Sequence, residues 1–296
     1  MDLLRSLIFV PGNRPNMLEK ARSFDADVVV ADLEDSVPPA EKVNAREIVG
    51  KLAPALSGRG RKVMVRLNSL DTGLTRDELA AVVGPHLYGV SIGKGESAQD
   101  IRECDRLLDA AEAEAGLEPG TLKLIPWIEN ARAVMAMEEM ATASARVVAL
   151  AFGAEDYTDD MGIQRTDEGQ EVYMPRAMVA IAARAAGLSA LDSPYVRYQD
   201  PEGLRRDVGL VRGLGYRGKF AIHPAQIDII NEMFSPGREE LEYARRVVQV
   251  WEEAESAGMG STSLDGNMID VPVVKRARNL LALAREMAGR GGAVQA

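Results

Sequence analysis

Two carboxylates in the middle of the chain have the residue type and spacing to hold a divalent cation. Glu129 and Asp156 each follow a short apolar run of strand type, and the two runs are consecutive along the chain. If the strands are parallel neighbours, their carboxyl ends lie at one edge and both side chains can reach one ion. Mg²⁺ suits such a pair, because it keeps about six oxygen ligands and gives up water reluctantly. The alternative is that each carboxylate caps the next helix or pairs with a Lys or Arg.

Arg66 is a third candidate, at the end of the apolar run 62–65. A guanidinium at a strand end presents a planar fork to a substrate carboxylate or to the oxygen of an enolate. Its alternative role is an ion pair with the acidic residues that follow the preceding run, Asp32, Glu34 and Asp35. The residue types leave both roles open.

Other reactive side chains are interpreted as structural. His223 is predicted to be a hydrogen-bonded histidine at a strand end, and Lys94 a solvated loop lysine. Cys104 lies in an amphipathic, charge-rich stretch without a neighbouring histidine, which favours a buried thiol over a nucleophile. Because the chain has two histidines, far apart, a zinc site of the HExxH type is excluded. The glycines of 213–218 have the spacing of a dinucleotide-binding fingerprint, but they precede a strand, so we predict a helix end and a turn.

Eight short, apolar, β-branched runs position these residues, and amphipathic stretches of helical period alternate with them. The runs are 6–10, 27–33, 62–67, 88–92, 121–128, 146–152, 188–192 and 219–223. Strict alternation with near-continuous apolar strands indicates a parallel sheet covered by helices. Eight repeats favour a closed (β/α)₈ TIM barrel of the α/β class. The alternative, a doubly wound open sheet, normally carries a glycine fingerprint after its first strand, where this chain reads PGNRP.

The chain beyond the eighth run has a different pattern. Two long helical stretches, 238–257 and 271–288, are joined by a segment rich in Gly and Ser, 258–267, which we predict to be a flexible linker. We therefore predict a TIM barrel over residues 1–235, a C-terminal helical extension over 236–290 and a tail over 291–296.

Composition limits the class of protein. The 296 residues include 35 Lys and Arg against 45 Asp and Glu, a formal net charge of −10, which argues against a general nucleic-acid binder. No apolar stretch approaches the length of a membrane span. A single cysteine makes no internal disulfide, and with no secretory signal in view we expect a cytoplasmic protein with neither membrane nor nucleic-acid partners.

With these residues identified, the sequence resembles the citrate lyase β-subunit-like branch of the HpcH/HpaI aldolase family. The resemblance rests on seven blocks in order: SLIFVPGNRP at 6–15, ADLEDSVPPAEK at 31–42, VRLN at 65–68, IE at 128–129, AFGAEDY at 151–157, AIHP at 221–224 and GNMID at 266–270. It implies a TIM barrel, usually trimeric or hexameric, that uses Mg²⁺ to make or break a carbon–carbon bond between a 2-oxo acid and an acyl thioester.

The resemblance also implies roles for individual residues. The metal pair falls on Glu129 and Asp156, and the substrate arginine falls on Arg66. Asp270 matches an acid/base aspartate that a neighbouring subunit contributes in related malyl-CoA and citramalyl-CoA lyases. From the residues alone, Asp270 is predicted to be the N-cap of the last helix. We further expect substrate or CoA contacts from Arg14, Lys42, Asp32, Glu34, Asn68, Gly153 and Ala154.

Three functional hypotheses follow. The first is a freestanding Mg²⁺-dependent lyase or synthase that acts on a 3-hydroxyacyl-CoA of the malyl, citramalyl or citryl type. The second is the β-subunit of a citrate lyase complex, which would take citryl on an acyl carrier protein. The third, from another class, is a non-catalytic barrel that binds an acyl-CoA or a partner protein. Of these, the presence of Arg66, Glu129 and Asp156 favours a catalytic protein.

Overall fold

The computed structural model describes residues 2–58 and 61–289, and the predicted tail at 291–296 lies outside the described residues. Within the described chain, eight parallel strands form a closed barrel, in which β8 pairs with β1. The strands are β1 (Ser6–Pro11), β2 (Val28–Asp32), β3 (Lys62–Leu67), β4 (Gly89–Ile92), β5 (Lys123–Ile128), β6 (Ala149–Phe152), β7 (Ser189–Asp192) and β8 (Gly218–Ala221). Each lies within a run predicted from the sequence or overlaps it closely, and the predicted TIM barrel is confirmed.

Helices connect consecutive strands of the barrel, and the ninth follows β8. They are α1 (Pro15–Ala21), α2 (Lys42–Leu56), α3 (Thr75–Val82), α4 (Ala98–Glu114), α5 (Ala131–Thr142), α6 (Ala154–Asp160), α7 (Gln170–Ala185), α8 (Pro201–Leu214) and α9 (Ile227–Phe234). Gly215, with a φ of 108°, ends α8 in the left-handed conformation that glycine adopts without steric cost. The segment 213–218 is therefore the helix end and turn that its position before a strand predicted.

Alternation along the strands brings the polar candidates to the barrel interior. Asp32, Arg66 and Glu129 each lie two residues after a member of the buried core cluster. These core residues are Val30, Met64 and Trp127. Because side chains two residues apart in a strand face the same side, the three polar groups continue the interior column beyond its apolar part. The barrel thus places them at the carboxyl ends of its strands.

A buried ion network fixes the last two strands to their helices. Lys219 of β8 contacts Asp192 of β7 and lies 2.6 Å, Nζ to Oδ2, from Asp207 of α8. Arg176 of α7 lies 3.0 Å from each of the same two carboxylates. Burial would raise the pKa of Asp207, but the charges of Lys219 and Arg176 outweigh it and lower the pKa to about 2. The charges of the two cations and the two carboxylates cancel, so this buried network carries no net charge.

The described chain divides into two compact units, residues 2–231 and 232–289. The second unit contains α10 (Arg238–Ser256), β9 (Thr262–Leu264), β10 (Asn267–Ile269) and α11 (Val271–Gly289). The domain assignment of 1–235 and 236–290 remains a prediction.

The prediction of a flexible linker at 258–267 is wrong, because most of this segment belongs to the antiparallel hairpin β9–β10. Its turn residues, Asp265 and Gly266, have φ values of 52° and 78°. Asp-Gly in this conformation is a preferred two-residue hairpin turn. Leu264 and Ile269 pack with Trp251 in the hydrophobic cluster of this unit, and that burial orders the segment.

Cys104 has the structural role that the sequence predicts. Cys104 is fully buried on α4, and burial raises the pKa of its thiol to about 12, which suits a structural cysteine and not a nucleophile. No helix in the described ranges has the length and apolar character needed to cross a bilayer.

Candidate active site

Arg66 and Asp32 form the most constrained pair at the mouth of the barrel. They are register partners at the ends of β3 and β2. Arg66 Nε donates to Asp32 Oδ1 at 2.7 Å and Nη2 donates to Oδ2 at 2.6 Å. The guanidinium also lies over the ring of Phe9, 4.5 Å from its centroid. Two parallel charge-assisted hydrogen bonds and the aromatic ring fix the plane of the fork.

Nη1 is the edge of Arg66 that faces away from Asp32. It lies 3.2 Å from Glu34 Oε2 and 3.2 Å from Asp35 Oδ2. The ion pair that the sequence left as an alternative is therefore formed, chiefly with Asp32, and Nη1 contacts the half-exposed Asp35. A substrate anion that reaches Arg66 would meet it at this edge.

Lys94 is an exposed loop lysine, as the sequence predicts, but it is also ion-paired, which the sequence does not predict. It follows β4 in the left-handed conformation, with a φ of 57°. Its Nζ donates to Glu34 Oε1 at 2.9 Å and to Asp35 Oδ1 at 3.0 Å, and its main-chain N–H donates to Glu129 Oε1 at 2.5 Å. Lys94 therefore contacts both the acidic loop beside Arg66 and the first predicted metal ligand. No pattern in the sequence predicts that this lysine adopts the left-handed conformation.

Glu129 is buried, with 4% of its surface exposed, directly after β5. Two glycines make room for it: a Cβ on Gly93 would lie 2.5 Å from Glu129 Oε1, and a Cβ on Gly153 would lie 2.6 Å from Glu129 Cβ. Burial, then the charges of Asp156 and Glu34, raise the pKa of Glu129 to about 8. Its environment thus favours neutralisation, by a proton or by a cation.

Asp156, in the first turn of α6, is the second predicted metal ligand. Burial and then the charge of Asp35 raise the pKa of this carboxyl, although Lys94 and Arg66 act in the opposite direction. Within residues 2–58 and 61–289, no hydrogen-bond donor or ion-pair partner contacts its side chain, and Glu129 accepts one hydrogen bond.

The donor set fits a hard divalent cation. Glu129 and Asp156 supply carboxylate oxygens whose mutual repulsion is not neutralised by a direct ion pair with any described residue. In the described part of the chain, no cluster of three or more His, Cys, Asp or Glu side chains is arranged to hold a metal. An ion held by this pair would keep positions for water and substrate oxygens, which is how Mg²⁺ is commonly bound at catalytic sites.

Lys42 and Asn68 shape the loop that carries Glu34. Lys42 Nζ donates to the carbonyl oxygens of Leu33 and Glu34, each at 2.7 Å, and Asn68 Nδ2 donates to the Leu33 carbonyl at 2.8 Å. The Asn68 side chain also contacts Glu78, and its main-chain N–H donates to Glu78 Oε2 at 2.9 Å. The contacts of both residues with substrate or CoA stay a prediction.

The remaining candidates on the barrel are Gly153, Ala154 and Arg14, and His223 was predicted to be structural. Gly153 connects β6 to α6, and Ala154 is the first residue of α6, two residues before Asp156. Gly153 N donates to the Ile128 carbonyl at 3.1 Å. Arg14 is exposed just before α1. His223 follows β8, where its Nδ1 accepts a hydrogen bond from Ala225 N at 3.2 Å, as predicted for a structural histidine.

Asp270 belongs to the second compact unit. It directly precedes α11, and its Oδ1 accepts a hydrogen bond from Val273 N at 3.2 Å. The N-cap role is therefore confirmed. Its role as acid/base stays a prediction.

Comparison with known proteins identifies the family. The HpcH/HpaI aldolase/citrate lyase model matches residues 5–224. The chain belongs to this family. Membership confirms the predicted resemblance, and it confirms the predicted enzyme class, a metal-dependent lyase.

Individual relatives within the HpcH/HpaI family agree with this assignment. Citrate lyase subunit beta of Leuconostoc mesenteroides subsp. cremoris is 38% identical over 282 residues, which is 95% of this chain and 93% of that protein. A (3S)-malyl-CoA thioesterase of Cereibacter sphaeroides is 33% identical over 287 residues, 97% and 96% of the two chains. The crystal structure of CitE from Mycobacterium tuberculosis with magnesium, acetoacetate and coenzyme A has a TM-score of 0.77 and 28% identity, covering 95% and 97%.

A substitution at Gly153 tests the packing around Glu129. In Gly153→Ala we expect kcat/KM to fall by about tenfold or more, because the new Cβ would lie 2.6 Å from Glu129 Cβ and 2.7 Å from Oε2 and would displace the carboxylate. Gly213→Ala is the matched control, since a Cβ there meets nothing within 4 Å inside α8. It should keep full activity and gain up to about 1 kcal/mol in the free energy of unfolding. Equal activity of the two variants would contradict this account of the glycine.

Proposed function

We propose that this HpcH/HpaI family member is a freestanding Mg²⁺-dependent carbon–carbon lyase. It cleaves, or forms, a 3-hydroxyacyl-CoA of the malyl, citramalyl or citryl type, with an acyl-CoA and a 2-oxo acid as the two fragments. The observation that carries the proposal is the Glu129 carboxylate, which is buried between two glycines and has a raised pKa. The charge of Asp156, a carboxylate with no direct ion-pair partner among the described residues, contributes to that rise.

Glu129 and Asp156 are the residues that would hold the metal ion. The magnesium complex of the related M. tuberculosis protein supports this choice of ion. When bound, Mg²⁺ supplies Lewis-acid stabilisation of the oxygen that alternates between carbonyl and alkoxide in such a reaction.

Arg66 supplies positive charge to the reacting fragments. In the cleavage direction a base takes the hydroxyl proton, the bond between the hydroxyl carbon and the thioester α-carbon breaks, and the electron pair of that bond passes to the acyl-thioester enolate. The Nη1 edge of Arg66 is fixed in direction by Asp32, so it can offset this charge without reorganisation. The second fragment is the 2-oxo acid, and protonation of the enolate gives the acyl-CoA.

Asp270 is our candidate for the acid/base group. It would take the hydroxyl proton during cleavage, or the α-proton of the acyl-CoA during condensation. The resemblance assigns this residue to a neighbouring subunit, and we accordingly propose a homo-oligomer, a trimer or a hexamer.

The acyl carrier is the feature that separates the proposal from its runner-up. The name of the L. mesenteroides relative, citrate lyase subunit beta, supports the alternative, the β-subunit of a citrate lyase complex, for which the resemblance implies citryl on an acyl carrier protein as substrate. To distinguish them, purified protein is incubated with Mg²⁺ and glyoxylate, pyruvate or oxaloacetate, together with either acetyl-CoA or an acetylated acyl carrier protein. Mass spectrometry of the thioester pool then detects the condensed product.

A new 3-hydroxyacyl-CoA with one oxo acid is the expected result, and it should be absent from the samples with chelator. Product on the carrier protein alone would replace the proposal by the citrate lyase β-subunit. Failure with both carriers would favour a barrel that binds an acyl-CoA or a protein without catalysis.

Cation binding should release a proton. Because the pKa of Glu129 in the metal-free protein is about 8, this group is about nine-tenths protonated at pH 7, and Mg²⁺ must displace that proton. Calorimetric titrations at pH 7 in buffers of different ionisation enthalpy should give close to one proton released per ion, falling towards zero above pH 9. Proton release that stays constant between pH 7 and pH 9 would contradict the assignment of Glu129 as a metal ligand.

The same group should affect stability without metal. Its pKa in the folded state lies above the ordinary value of 4.5, so its contribution to the free energy of unfolding is full at low pH and is lost as the pH rises towards and through 8. Thermal unfolding in chelator should follow this trend for the wild type and lose it in Glu129→Gln.

A further inference from the structure

Lys94 adopts a backbone conformation that its residue type disfavours. Its φ of 57° lies in the left-handed region, where a side chain with a Cβ is strained and glycine is not. Its neighbours, Gly93 and Gly95, are both glycines. A glycine at position 94 as well would adopt this conformation without strain. A strained residue persists where its surroundings hold it, and such residues cluster at functional sites.

The backbone strain has an evident use. With residue 94 left-handed, its N–H is directed at Glu129 and donates to Oε1 at 2.5 Å. Within residues 2–58 and 61–289, Oε2 of the same carboxylate accepts no hydrogen bond. The turn therefore occupies one oxygen of Glu129 and leaves the other for a cation.

The side chain has a separate use. Glu34 and Asp35 both contact Nη1 of Arg66 at 3.2 Å, and both also accept from Lys94 Nζ at about 3 Å. Without the ammonium, Arg66 would be the cation that still contacts these two carboxylates directly in the described part of the chain, beside the more distant charge of Lys42. They would then compete more strongly with a substrate anion for the Nη1 edge.

We propose that Lys94 is a positioning residue with two separable parts: its left-handed main chain orients Glu129 for the cation, and its ammonium keeps Arg66 accessible to the substrate anion. This inference rests on the proposed function, because it concerns the same site. It assigns no chemical step to Lys94, which contacts Glu34, Asp35 and Glu129 and acts through them.

Three substitutions separate the two parts. Lys94→Gly favours the left-handed turn and removes the ammonium. Lys94→Val also removes the ammonium, but its branched Cβ opposes the turn. Lys94→Arg retains the positive charge and an unbranched Cβ. Thermal unfolding and circular dichroism confirm that each variant is folded before it is compared.

The first readout is Mn²⁺ affinity, measured by electron paramagnetic resonance without substrate and with Mg²⁺ as competitor. We expect Lys94→Gly to bind Mn²⁺ at least as tightly as the wild type, because the turn is kept and a nearby positive charge is gone. Lys94→Val should bind about tenfold or more weakly. Equal affinity in the Gly and Val variants would overturn the main-chain part of the proposal.

The second readout is steady-state kinetics with the 3-hydroxyacyl-CoA that the wild type cleaves. Lys94→Gly should raise KM by about tenfold, and Lys94→Arg should restore it to within about threefold of the wild-type value. A wild-type KM in Lys94→Gly would overturn the side-chain part. If the wild type itself binds no Mn²⁺, the proposed function fails, which is distinguishable from a failure confined to the Lys94 variants.

Discussion

In Glu129→Gln, lyase activity falls by on the order of 10³-fold or more, and cation binding is lost. The amide matches the carboxyl in shape and can accept the hydrogen bond from Lys94 N–H, but it carries no charge for the ion. Because the pKa of Glu129 is raised to about 8, the metal-free site already favours a neutral group at this position. The variant should therefore fold as well as the wild type, with equal or higher thermal stability at pH 8 in chelator.

The measurement combines kcat/KM with Mn²⁺ affinity and thermal unfolding. Glu155→Gln is a matched control, since Glu155 is the adjacent carboxylate in the same helix, is more than half exposed, and pairs at 3.4 Å with Arg165. Its loss should leave activity and cation affinity within about twofold of the wild type. If Glu129→Gln kept more than a tenth of the activity, or bound Mn²⁺ normally, the metal assignment would be wrong.

Arg66→Lys should lower kcat/KM by about 10²- to 10³-fold while leaving Mn²⁺ affinity within about threefold of the wild type. A lysine ammonium cannot donate two parallel hydrogen bonds to Asp32 and also present a third donor edge to a substrate. This pattern differs from that of Glu129→Gln, in which activity and cation binding are lost together.

Stability should change as well in Arg66→Lys. Asp32 is 1% exposed, and although burial alone would raise the pKa of its carboxyl, the hydrogen bonds and charge of Arg66 lower it. Weakening this pair should cost about 1–3 kcal/mol in the free energy of unfolding at neutral pH. That contribution is present above the ordinary Asp pKa of 3.8 and is lost in acid, so the difference from the wild type should shrink as the pH falls below 4.

Arg106→Lys provides the comparison for Arg66. Arg106 is exposed on α4, where it pairs with Glu103 one turn away. A lysine there should change neither activity nor stability measurably. Arg66→Lys with wild-type kcat/KM would show that the bidentate geometry at the barrel mouth has no part in the reaction.

Much of the barrel could be predicted from the sequence, because its strands are largely buried and therefore mostly apolar. The same pattern marks where each strand ends, so the polar residues that follow could be assigned to one edge. Asp32, Arg66 and Glu129 can be identified in this way, and the structure places all three at or directly after the carboxyl ends of β2, β3 and β5.

Other features depend on contacts that no local pattern reveals. The Arg66 pair with Asp32 follows from the register of two strands 34 residues apart, and the sequence left it as one of two alternatives. The left-handed Lys94 is stabilised by acids from a different loop. The hairpin at 262–269 was missed because the Gly- and Ser-rich composition suggested flexibility, whereas the Asp265-Gly266 turn and the burial of Leu264 order it.

The central claim is that this protein breaks a carbon–carbon bond with a metal held by Glu129 and Asp156. The most direct test is to incubate malyl-CoA, citramalyl-CoA and citryl-CoA separately with the protein, in Mg²⁺ or in chelator, and to identify the products by mass spectrometry. We predict that at least one of the three yields acetyl-CoA and its 2-oxo acid, in Mg²⁺ and not in chelator. Free CoA with the intact hydroxy acid, which indicates thioester hydrolysis, or cleavage that persists in chelator, would contradict the account.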